Sequence, residues 1–121
     1  MSLRTKRATV NIAINTALSQ AIFLGDGVLC AIQMSAGWDA ADLTFQVSDD
    51  GGTTWQELRD SSGTAITVAS PTAGYRLELD ASDFKSAMFL KVRSGTSASP
   101  VNQTTAARVL TVISRKFYPV S

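Results

Sequence analysis

Leu43-Thr44-Phe45-Gln46-Val47-Ser48-Asp49-Asp50-Gly51-Gly52-Thr53-Thr54-Trp55-Gln56-Glu57-Leu58-Arg59 carries the reading of the fold. Successive side chains of a strand point to opposite sides, so Leu43, Phe45 and Val47 share one face while Thr44, Gln46 and Ser48 share the other. Asp50-Gly51-Gly52 follows, and glycine reaches positive φ without steric cost. The chain therefore reverses there, and residues 54–59 return as the second strand of a hairpin. A hairpin with one apolar face must bury it against a second layer.

The same alternation extends in both directions. Upstream, Val28, Cys30, Ile32 and Met34 fall on one face, and Val10, Ile12 and Ile14 alternate with Asn11, Ala13 and Asn15. A looser pattern over residues 18–23 adds a strand before Gly25-Asp26-Gly27. Downstream, residues 65–69, 75–79, 88–93 and 108–113 read as strands separated by Ser-, Gly- and Pro-rich turns. Helical turns fit in residues 35–41 and 81–87, the second with Asp80 or Ser82 as N-cap ahead of Phe84. Composition agrees: Val, Ile and Thr number 28, against 2 Glu and 4 Lys. The fold class expected is all-β, a two-sheet antiparallel β-sandwich or jelly roll of about nine strands. Phe45, Val47, Trp55, Leu77, Leu90, Val92 and Leu110 are its expected core.

The 121 residues suit one domain, read as a basic N-terminal arm over residues 1–7, a β-sandwich domain over 8–114 and a tail over 115–121. The formal charge of +1 supplies no overall field toward nucleic acid or a membrane surface, and neither is an expected partner. Charge is nevertheless segregated. All ten acidic residues lie between Asp26 and Asp83, opposed there by Arg59 and Arg76, a net of −8, while the flanking segments carry +9. Either paired strands intermix these charges, or basic ends dock on an acidic neighbour through Arg4, Lys6, Arg7, Arg115 and Lys116. No apolar run reaches about 18 residues and residues 1–23 lack a continuous apolar core, which predicts a soluble chain without a Sec leader.

Little catalytic chemistry is available. Histidine is absent, which removes His-based triads and ligands. The single cysteine, Cys30, reads as a small buried hydrophobe. Asp39/Asp42, Asp49/Asp50 and Asp80/Asp83 are the carboxylate pairs a glycosidase would need, but each lies where Asp accepts backbone N–H groups of a turn. Trp38 and Tyr75 are candidates for a glycan-stacking platform, with core packing the commoner fate. No catalytic residue, metal site or cofactor is expected.

Ser48-Asp49-Asp50-Gly51-Gly52-Thr53-Thr54-Trp55 matches the pattern Ser-x-Asp-x-Gly-x-Thr-Trp and resembles the Asp-box hairpins of sialidases and other β proteins. That resemblance implies structural roles: Ser48, Asp50, Gly52, Thr54 and Trp55 form the turn, with Asp50 accepting turn N–H groups, Gly52 at positive φ and Trp55 packed beneath. Calcium held by Asp49 and Asp50 is the alternative, although the regular oxygen ligands of an EF-hand loop are missing.

Over roughly residues 8–113 the chain resembles a family of small uncharacterised virion structural proteins of tailed phages and prophages. The resemblance is carried by residues 29–34, by Trp38-Asp39-Ala40-Ala41-Asp42 leading into the hairpin, by Leu79-Asp80-Ala81-Ser82-Asp83-Phe84, and by residues 89–103. It implies a non-enzymatic virion protein assembled in the bacterial host cytoplasm. Head decoration as a homo-oligomer, with a trimer as first expectation, is one form, attached to the major capsid protein or another virion protein. A tail or fibre accessory module binding host-surface glycans is the other.

Overall fold

The computed structural model describes residues 3–117. Eight strands are formed: β1 (Leu3–Ile12), β2 (Ile22–Phe23), β3 (Val28–Gln33), β4 (Leu43–Ser48), β5 (Gln56–Glu57), β6 (Arg76–Glu78), β7 (Phe89–Ser94) and β8 (Arg108–Phe117). They pair antiparallel in two four-stranded sheets, in the orders β1-β8-β3-β6 and β2-β7-β4-β5, so the chain is an all-β sandwich. Between the sheets lie Val10, Ile12, Leu29, Ile32, Leu43, Phe45, Leu90, Val92, Leu110 and Val112, all buried, with Phe84 set edge-on to Phe45 at 5.1 Å. The 3-10 turn Ala81–Phe84 delivers Phe84, and Asp80 caps it by accepting the Ser82 N–H. That turn coincides with the helical turn read from residues 81–87.

Several expectations are corrected. Residues 65–69 are not a strand but touch the second sheet through isolated bridges, Arg59 to Ala65 and Leu43 to Val68. Of residues 18–23, Ile22–Phe23 is strand, whereas Leu18 meets Arg93 in an isolated bridge that ends where the Ser19 hydroxyl takes the Val92 N–H a neighbouring strand's carbonyl would take. Residues 35–41 hold turns and bends rather than helix. A β-bulge between Leu29 and Ala31 breaks the predicted face of β3, so Leu29 enters the core and Cys30 sits half-buried, its Sγ 3.4 Å from the Ile113 carbonyl. Burial pushes the Cys30 thiol pKa up. Val47 and Leu77 are partly buried against the core, while Trp55 is half-buried outside it.

The expected arm and tail are not separate from the sandwich. β1 and β8 pair from Ile12↔Arg108 out to Leu3↔Phe117, so residues 3–7 and 113–117 continue the β1–β8 ladder, and β3 flanks β8 on its other side as far as Arg115. The expected boundaries at residues 7 and 115 both fall inside strands, because each segment satisfies the other's backbone groups. Residues 1, 2 and 118–121 of the expected arm and tail lie outside the described residues.

Candidate functional site

The hairpin tip after β4 is built by side chains acting as backbone substitutes. Asp50 Oδ1 accepts the N–H groups of Thr53 at 3.1 Å and Thr54 at 3.0 Å and the Ser48 hydroxyl at 2.7 Å, while Asp50 Oδ2 accepts the Thr54 hydroxyl. Ser48 Oγ in turn accepts the Gly52 N–H at 3.0 Å. Gly51 and Gly52 hold φ of 79° and 86°, conformations a side chain would strain. Trp55 donates its indole N–H to the Gly52 carbonyl and lies under Lys91, whose Nζ is 4.5 Å from the ring centroid. The ring thus braces the turn from the outer face of the sheet, and the cost of a fully buried aromatic does not apply to it.

These bonds, led by the Thr54 hydroxyl and N–H, hold the Asp50 carboxyl at about 2, below its ordinary 3.8. Asp60 and Asp80 are lowered in the same way, each first by a serine hydroxyl, Ser62 and Ser82 respectively. A carboxyl whose folded pKa is depressed stabilises the fold fully above its unfolded pKa, and that contribution disappears as pH falls through the folded value. Acid titration of stability is therefore expected to show a decline beginning below about pH 4 and continuing toward pH 2. Asp50→Asn should flatten part of that decline, and Asp50→Ala should lower the melting temperature on the order of 5 °C. An acid limb identical in wild type and D50N, followed by circular dichroism, would show that Asp50 does not hold the turn.

Folding disposes of much of the charge segregation. Three ion pairs join a flanking cation to an acid of the middle block: Arg93 with Glu57, Arg108 with Asp39 at 3.4 Å, and Lys116 with Asp26 at 2.7 Å. Lys6, Arg7 and Arg115 remain exposed, with no ion pair among the described residues. They come together on the β1–β8 ribbon, where Lys6 faces Ser114 and Arg115 faces Thr5 across the ladder. Strand alternation sends Lys6 and Lys116 to one face of the ribbon and Arg7 and Arg115 to the other. Arg4 is described through its backbone register opposite Lys116.

Beside Lys6 and Lys116 opens a cleft of about 210 Å³ whose other wall is Phe23, Leu24, Gly25, Asp26 and Gly27. Phe23 is 57% exposed and its ring lies 4.9 Å from that of Phe89. The basic ribbon end and this aromatic pair are the candidate contact surface. Sequence reading missed Phe23 and Phe89 because they become neighbours through the β2–β7 register, Phe23↔Phe89, which no local pattern encodes.

The other candidates resolve differently. Trp38 is buried in the core at 7% exposure with its indole N–H on the Ala41 carbonyl, whereas Tyr75 is 59% exposed, so the two do not form a stacking platform. Asp39 accepts the Thr104 N–H at 3.0 Å and is bridged by the fully buried Gln103, whose amide bonds Asp39 backbone at both ends. Asp42 accepts the Ser70 N–H at 2.8 Å. Each carboxylate here ties one loop to another. Among the described residues no three His, Cys, Asp or Glu side chains gather as metal ligands, and no helix is long and apolar enough to cross a membrane. A scan against protein-family models and a search of curated proteins each returned no match.

Proposed function

We propose that the chain is a non-enzymatic attachment module of a tailed-phage particle, a head-decoration protein that docks as a homo-oligomer on a more acidic shell protein. The observation that carries the reading is that Lys6, Arg7 and Arg115, exposed and without ion pairs among the described residues, all lie on the paired ends of β1 and β8, Lys6 on the face that borders the exposed Phe23 and the two arginines on the other. Cations of this kind steer association and suppress wrong partners, and an adjacent apolar ring supplies contact area that survives salt. The resemblance over residues 8–113 to virion proteins supplies the particle. Of the paired carboxylates, Asp39, Asp42, Asp50 and Asp80 serve as turn and loop acceptors.

Because residues 3–7 are strand, charge reversal rather than deletion is the right variant. Purified protein is expected to bind empty capsids at fixed stoichiometry. The combined Lys6→Glu, Arg7→Glu and Arg115→Glu variant should bind at least about tenfold more weakly at low salt. The difference should shrink above about 0.15 M salt, where the screening length is roughly 8 Å. Equal binding by wild type and variant at every salt concentration would remove the ribbon from the contact, and label on tails but not heads in imaged particles would overturn head decoration.

A further inference from the structure

Three of the four sheet edges end in strands of two or three residues, β2, β5 and β6, whereas β1 is ten residues long. Short edge strands limit unwanted pairing, and a long open one is a template for another strand. Asn11 shows which backbone groups of β1 point outward, since its N–H leaves the ladder to reach Gln20 Oε1 at 3.0 Å. N–H and C=O of one residue point to the same side of an antiparallel strand and alternate along it, so those of Thr5, Arg7 and Thr9 also point outward. No hydrogen bond among the described residues takes up the N–H of these three.

From this edge we infer that β1 accepts an added strand from another protein, an extended segment rich in Asp or Glu that continues the β1-β8-β3-β6 sheet. Main-chain bonds to Thr5, Arg7 and Thr9 would hold it, and Lys6, Arg7 and Arg115 would select its charge. A second copy of the chain is the poorer occupant. The antiparallel register that pairs Thr5, Arg7 and Thr9 of both copies sets Arg7 directly opposite Arg7, and like charges directly opposed destabilise a sheet. The inference deepens the attachment reading and rests on it for the partner's role, by stating how the partner is gripped.

The test uses the full chain and a synthetic eight-residue peptide alternating Glu with Val or Thr, with a Lys-for-Glu peptide as control. Amide exchange read by NMR is expected to slow at Thr5, Arg7 and Thr9 when the Glu peptide is added and to stay unchanged with the Lys peptide. Thr9→Pro removes one outward donor and leaves the β1–β8 bonds in place, since proline is tolerated on an edge whose N–H faces solvent. It should weaken the Glu peptide about tenfold. Should T9P not fold, the wild-type exchange data still decide. Peptide saturation without protection at these three amides overturns the inference, as does protection arising from self-association without peptide. Capsid binding without amide protection would sink strand addition and leave the attachment reading standing, while protection without capsid binding would do the reverse.

Discussion

Replacing Arg93 with alanine is expected to lower the unfolding free energy by about 3–5 kcal/mol, because it strands a carboxylate that water barely reaches. The Arg93 and Glu57 side chains are 8% and 12% exposed, and the guanidinium meets both carboxylate oxygens, with Nη2 2.9 Å from Oε2. Arg93 Nη1 also bonds the buried Thr44 hydroxyl at 3.2 Å. Once the arginine is gone, Glu57 keeps its desolvation cost and loses the charge that offset it. Replacing both partners, Arg93→Met with Glu57→Leu, removes cost and gain together and should return stability to within about 2 kcal/mol of wild type. Urea unfolding of the two single variants and the double variant measures this as a cycle. A single-variant loss below about 1 kcal/mol would mean that the pair is solvated like an ordinary surface bridge.

A loss of similar size is expected from Phe45→Ala, about 3–5 kcal/mol. Phe45 is fully buried at the centre of β4, and Phe84 meets it at an interplanar angle of 87°. Truncation removes the ring's burial and leaves a cavity that two hydrogen-bonded sheets cannot collapse to fill. Domains of this size have on the order of 5–15 kcal/mol of stability in total, so the variant should melt far below wild type. Pairing it with Phe84→Ala should reveal a coupling of about 0.5–1.5 kcal/mol for the edge-on contact. A loss under about 1.5 kcal/mol for Phe45→Ala would show that the core repacks.

The alternation of Leu43, Phe45 and Val47 and the Asp50-Gly51-Gly52 reversal made the β4–β5 hairpin legible, because strand alternation and positive φ are local properties, whereas the burial of Thr44 and Ser48 on the opposite face came from the tertiary structure. The 3-10 turn under Asp80 was legible for the same reason, since a cap spans a few adjacent residues. Where reading failed, a distant partner decided. The bulge at Leu29 and Ala31 depends on how β3 meets β8, and it placed Cys30 away from the core that its spacing predicted. Trp38 went inside and Trp55 stayed half outside, although both are tryptophans beside turns. Trp38 joins the core cluster, whereas Trp55 lies on the outer face beneath Lys91.

Charge shows the division most sharply. Its segregation along the chain, a net −8 block between cationic ends, is a property of the sequence alone. Only pairing across the sheets determined which cations were cancelled, by joining Arg93 to Glu57, Arg108 to Asp39 and Lys116 to Asp26, and left Lys6, Arg7 and Arg115 on the ribbon. The open edge of β1 belongs to the tertiary structure as well. A strand's hydrophobic period can be read from neighbouring residues, but whether its outward N–H groups find a partner depends on residues far along the chain.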